Sequence, residues 1–380
     1  MNAGTHSKTG GQQLDTARRG EHRSGEAAVR AVRLRHRLLP VAGVLVLSPL
    51  AAEFLIGYDA GSGHQAGMLS VLPLIACLYG TVAVLIREAA RRTGRGWPTI
   101  LLLGTAFGLI QAGLIDQGLF NPAYIDDPSW TQERQATLVP FLGLSAAQLL
   151  NFVGGHVIWS FAAPIAVIEA CAPRQAGRPW LGRTGIAVLV LLYLAAAAVF
   201  HFNPGSATPF TAAPGQLIGT AVVVVGLTVA AFALPRRGVV VAGRVPPPWL
   251  VAGAALTVLL LHTLLPATWL GVTVDLVLLS LLGGLLLRWS GRRAWHRVHV
   301  LTVGGAALLA RAVLAFTVEP WGEADYAVKY MSNALVLTIV VALLAWAWRR
   351  TARTERTSAD GATRRTARSD AAAGRTPRSR

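Results

Sequence analysis

Six polar side chains stand inside stretches of this chain that are otherwise apolar: Glu53, Gln111, His156, His262, Asp275 and Arg311. An ionisable group in hydrocarbon is costly and is kept where it faces protein, water or a bound solute. Carboxylates and imidazoles hold cations or protons, whereas the guanidinium of Arg311 favours an anionic group. Together they predict a binding site for a small polar or ionic solute, with no catalytic residue and no cofactor. The alternative chemistry is zinc, for which His156, His201 and His262 with Asp116 supply three imidazoles and a carboxylate. Those four residues come from separate segments, without a His-x-x-x-His or His-Glu-x-x-His pair. Adjacent Asp126 and Asp127 offer either a hard-cation pair or a solvated turn. No Walker loop is present, which excludes ATP hydrolysis by that means.

Ten apolar segments must position these groups: 39–58, 67–86, 98–116, 146–170, 184–203, 215–234, 249–268, 271–288, 299–318 and 331–348. Each matches a hydrocarbon layer roughly 30 Å thick. The 380 residues are 53% hydrophobic and only 14% charged, against about a quarter charged in soluble domains. The expected fold is an all-α transmembrane helix bundle of about ten spans. It divides into a basic disordered tail (1–38), a ten-span domain (39–348) and a second basic disordered tail (349–380). The apolar stretch 138–150 is expected to lie in the membrane interface or to re-enter.

Charge placement orients the bundle. Of 35 Lys and Arg, 32 fall in the two tails and in alternate loops after spans 2, 4, 6 and 8; the exceptions are Arg134, Arg311 and Lys329. By the positive-inside rule both termini are cytoplasmic, in a multi-pass plasma-membrane protein. The net charge of +17 is then explained by orientation and by anionic lipid at the cytoplasmic face, and no nucleic-acid partner is expected. Of eleven tryptophans only Trp159 falls mid-span; the others favour interface positions. Cys77 lies within span 2 and Cys171 at the end of span 4, neither in an outward loop, so no disulfide framework is expected.

At about 1.5 Å per residue, the six polar groups and Asp116, His201 and Asn333 fall in the outer half of the bilayer. Glu169 lies near enough the inner face to snorkel. The depths of Glu53 and Arg311 match, as do those of His262 and Asp275, so each pair is also a candidate structural tie between helices. Two oppositely oriented five-span halves suit an alternating-access transporter. A permease-like or ligand-binding role is the leading expectation. The alternatives are a membrane-embedded enzyme with an outer-face site, as a metal-dependent hydrolase or lipid-linked transferase, and a structural subunit.

The runs Pro49-Leu-Ala-Ala-Glu53, Ile86-Arg-Glu-Ala-Ala-Arg-Arg92, Gly96-Trp-Pro98 and Gly118-Leu-Phe-Asn-Pro122 resemble an uncharacterised polytopic membrane protein family of actinobacteria. That resemblance implies no assigned activity. A partial similarity to CAAX-protease and bacteriocin-processing membrane enzymes rests on Phe152 and His156, which fit a Phe-x-x-x-His element. The glutamate pair of those enzymes is absent: Gln111-Ala112 stands in its place, with Asp116 where arginine would be. The resemblance therefore implies a degenerate, non-proteolytic member.

Overall fold

The computed structural model describes residues 37–57, 65–125, 128–202, 210–236, 240–320 and 324–373. Asp59, Asp126, Asp127 and nearly all of the N-terminal tail lie outside the described residues. Among those described, nine helices are long and apolar enough to cross a membrane. They are α1 (Arg37–Ile56), α2 (Leu69–Arg92), α3 (Trp97–Ile115), α5 (Ala146–Cys171), α6 (Arg183–Phe202), α7 (Pro214–Ala233), α9 (Trp269–Ser290), α10 (Arg297–Leu314) and α11, whose apolar part is Tyr326–Thr357. A tenth apolar helix, α8 (Pro248–Leu264), occupies the seventh place. It ends earlier than the expected 249–268 because Pro266 holds Leu265 extended. A short helix, α4 (Pro128–Ala136), lies between α3 and α5.

The stretch expected to lie in the membrane interface or to re-enter begins as a two-stranded hairpin, β1 (Leu138–Val139) and β2 (Leu144–Ser145), with Leu138 opposite Ser145. Gly143 makes its turn at φ +65°, and the Ser145 hydroxyl then caps α5 by accepting from Gln148 N at 3.3 Å. Arg134 of α4 holds this extramembrane layer together. Its guanidinium donates to the carbonyls of Leu119, Phe120 and Gly143 and to Gln148 Oε1. Lys329 is similarly buried, donating to the carbonyls of Phe316 and Val318. Two of the three exceptions to the charge pattern are thus buried fasteners rather than orienting charges.

Helix α10 is central, with 61% of its span buried against 11% for α7. Its run Gly304-Gly-Ala-Ala307 lets neighbours approach closely: a Cβ added at Gly304 would meet Ala166 Cβ of α5 at 2.7 Å. α10 packs on α5, α8 and α11, while α3 carries α7 and α2 carries α6. Side chains also bond backbones across helices: Thr99 to Ala231 O at 3.0 Å, Trp159 Nε1 to Ala307 O at 2.9 Å and Asn333 to Ala315 O at 2.9 Å. The outer helices α6, α7, α9 and α11 turn large side chains such as Leu191, Val222, Leu270 and Leu335 outward, as lipid-facing surfaces do.

α11 continues as helix to Ala373, through the first part of the expected disordered tail from 349. Thr351 is fully buried and donates to Ala170 O at 3.0 Å, and Glu355 accepts from Arg297 N at 3.1 Å. Ala and Arg are good helix formers and no proline interrupts the segment before Pro377.

Candidate functional site

Glu53 ends the regular part of α1, where a tighter turn (Phe54–Ile56) closes on Gly57 at φ +84°. Its carboxylate accepts a hydrogen bond from Tyr79 of α2. At the end of α3, Gln111 Nε2 donates to Asp116 Oδ2 at 3.2 Å, and Gly118 N donates to Asp116 Oδ1 at 3.0 Å. Glu53 and Asp116 both act electrostatically on Tyr79 and on Tyr124 of the following loop. Burial pushes Asp116 up to about 6, aided by Glu53 and opposed by the bonds from Gly118 and Gln111. Burial raises Tyr124 too, followed by the charges of Asp116 and Glu53.

His156 of α5 packs edge-on against Tyr79, ring centroids 5.5 Å apart. Its Nδ1 lies 2.8 Å from Phe152 O, which only accepts, so Nδ1 carries the hydrogen. In the neutral ring Nε2 then bears the lone pair; it is buried and has no hydrogen-bond partner among the described residues. Three helices thus deliver Tyr79, Gln111 and His156 to one cluster, each from a widened π-turn: Ala76–Gly80, Ile110–Ile115 and His156–Ala162. Such turns are rare and concentrate at functional sites.

The remaining predicted residues form a second group beside the first. His262 Nδ1 lies 2.8 Å from Asp275 Oδ2, so the tie expected between α8 and α9 is present. Trp159 stacks on His262 with centroids 5.7 Å apart, and the Arg311 guanidinium lies 4.4 Å from the Trp159 ring centre. Glu53 of α1 accepts from the Tyr79 hydroxyl beside this group. Gly154 lets α5 and α8 approach closely, since a Cβ added there would stand 3.3 Å from His262 Nε2. The histidines of the zinc alternative are dispersed: His156 serves Phe152, His262 serves Asp275, and His201 is exposed with Nδ1 3.1 Å from Ile115 O. Among the described residues no three His, Cys, Asp or Glu side chains gather as a metal site requires.

The opposite end of the bundle holds an ion cluster that one-dimensional reading misses. Glu169 of α5 does not snorkel; it is 7% exposed and accepts from Arg87 Nε at 3.0 Å and from Arg91 Nε and Nη2 at 2.9 and 2.7 Å. Arg87 is fully buried, donates to Glu88 at 2.9 Å and lies 3.3 Å from the Trp180 ring centre. Glu88 in turn accepts from Trp180 N at 2.7 Å and from Arg92 at 3.1 Å. These groups clasp the α5–α6 loop onto the end of α2. Their only signal in the sequence was acidic Glu88 amid arginines counted as loop charge.

The bundle and its buried polar cluster define a multi-pass membrane protein. The model of an uncharacterized membrane protein family matches residues 43–272, and the chain belongs to that family. The match covers Glu53, Tyr79, Gln111, Asp116, His156 and His262 and ends before Asp275 and Arg311. No curated protein and no solved structure matches the chain.

Proposed function

We propose that this is a permease-like solute-binding protein of the plasma membrane, with both termini cytoplasmic and its site in the outer half of the bundle. The observation that carries this reading is the convergence of three π-turns on Glu53, Asp116 and His156 Nε2. Two carboxylates in one buried cluster suit a small cationic solute or a proton, with Tyr79, Gln111 and His156 supplying neutral polar contacts. Arg311 and the His262–Asp275 pair flank that site and hold α5, α8, α9 and α10 around it. The concentration of 32 of 35 Lys and Arg in the tails and alternate loops supports the orientation.

With Cys77 and Cys171 replaced by alanine, Gln111→Cys and His156→Cys should each react with a membrane-impermeant maleimide added outside intact cells. In proteoliposomes, a panel of monovalent cations, amino acids and polyamines should yield a solute whose uptake Glu53→Gln and Asp116→Asn abolish. Unlabelled but folded cysteine variants would overturn the outward-open site.

One observation favours a second reading as an enzyme. Asp275 orients His262 as it would a general base, with the Nδ1 hydrogen on the carboxylate and Nε2 directed at Gly154. In that case His262→Gln would abolish turnover while leaving solute binding at Glu53 intact.

A further inference from the structure

A long apolar cleft of about 1,290 Å³ runs beside the polar cluster, between one wall of α3 and α7 and another of α5, α8, α9 and α10. It exceeds the roughly 300–1,000 Å³ of ordinary small-molecule pockets. Its α5 wall extends from Leu149 to Ala166, which at 1.5 Å per residue is about 25 Å, most of the hydrocarbon thickness. One end is roofed by the hairpin at Phe141 and Leu142 and by Gln216; the other carries Trp97, Ser290 and Trp295.

That second end is basic. Val241, before α8, pairs with the α9–α10 turn, Val241 N to Gly291 O at 2.9 Å and Arg293 N to Val241 O at 3.1 Å. Arg288 and Arg293 are exposed there and have no acidic partner among the described residues. Arg95, two residues before Trp97, donates to Phe232 O at the end of α7, while its buried Nε has no hydrogen-bond partner among the described residues.

We propose that this cleft is a binding site for one anionic glycerophospholipid, its acyl chains along the cleft and its phosphate at Arg95, Arg288 and Arg293. The sequences of residues 1–36 and 358–380 are polar and arginine-rich, a poor chemical match to an apolar cleft. A phosphate satisfies both the excess of guanidinium donors and the interfacial tryptophans beside them, which an apolar helix of a second copy does not. The site stands independently of the solute reading, since it uses none of Glu53, Asp116 or His156.

The test exploits three glycines with no atom within 4 Å of an added Cβ: Gly219 and Gly283, which line the cleft, and Gly226, which does not. Purified wild type, Gly219→Phe, Gly283→Phe and the control Gly226→Phe are weighed by native mass spectrometry after equilibration with phosphatidylglycerol or phosphatidylcholine. Wild type and Gly226→Phe should retain phosphatidylglycerol, and the two cleft variants should retain it about tenfold less. Arg95→Gln and Arg288→Gln should each reduce the preference for phosphatidylglycerol by about fivefold. Equal retention by the cleft variants overturns the site, and so does a wild-type dimer that carries no lipid. Equal retention of phosphatidylcholine by wild type overturns the anionic assignment. Thermal unfolding of every variant confirms that the comparison is among folded proteins.

Discussion

Glu169→Ala separates a buried ion cluster from a surface charge. The carboxylate receives three N–H bonds between 2.7 and 3.0 Å from two arginines of α2, and Arg87 is fully buried. Hydrogen bonds to charged groups contribute about 1.5–3 kcal/mol each, and they are not additive within one network. Removing one partner of a buried pair costs about 3–5 kcal/mol, because the remaining charge stays buried. Here the cluster of Arg87, Arg91 and Arg92 with Glu88 and Glu169 would pass from one excess positive charge to two. The expected loss is therefore about 3–5 kcal/mol, or two to three and a half orders of magnitude in the unfolding equilibrium. Glu169→Gln keeps an acceptor and should lose about half as much. The double change Glu169→Leu with Arg91→Met should cost less than the sum of its single changes, since it removes both charges of one pair. Denaturant titration in mixed micelles, read by Trp180 emission, measures all of these. A snorkelling glutamate would tolerate alanine within about 0.5 kcal/mol, and that result would refute the cluster's role in holding α5 to α2.

Gly80→Val should destabilise the α1–α2 contact by about 1–3 kcal/mol, because the first added carbon would already stand 2.6 Å from the Leu45 carbonyl oxygen; thermal unfolding measures it. Arg134→Ala should cost at least about 2 kcal/mol, and Arg134→Lys nearly as much, since a lysine cannot span four acceptors. Limited proteolysis between α3 and α5 should report the loosening. Asp116 at about 6 lies above its unfolded value, so the folded state binds more protons between about pH 4 and pH 6 and stability falls as pH rises through that window. Asp116→Asn should flatten this slope and stabilise the protein at neutral pH; a slope unchanged in the variant would assign the titration elsewhere.

The spans were legible because hydrocarbon demands long apolar runs, and nine of the ten expected segments coincide with helices of spanning length. The His262–Asp275 tie was legible because a tight hairpin between α8 and α9 leaves the two residues only thirteen apart. Contacts between distant segments were not. Arg87 and Glu169 are separated by 82 residues, and counting charges by loop hid the fact that α2 remains helical through Arg92. The π-turns also escaped, since they arise from how helices pack and leave no periodic trace in an apolar run. Arg134 and Lys329 were visible only as departures from the charge pattern, which is what a buried cation bonded to carbonyls should look like in sequence.

The two polar groups are best understood as one construction rather than two. His156 and Trp159 belong to the same seven-residue π-turn of α5, one facing Tyr79 and the other between His262 and Arg311. In an unbroken α-helix residues three apart share a face, whereas these two address different helices. The widened turn therefore sets which neighbours each ring meets. A shift that restored the regular spacing of α5 would have to move His156 relative to α2 or Trp159 relative to α8 and α10. Through Trp159, the turn that carries His156 also meets His262 and Arg311, and His156 is the cluster member whose buried Nε2 has no hydrogen-bond partner among the described residues. α5, rather than a loop, is therefore the element that joins the Tyr79 side of the polar cluster to the His262 and Arg311 side.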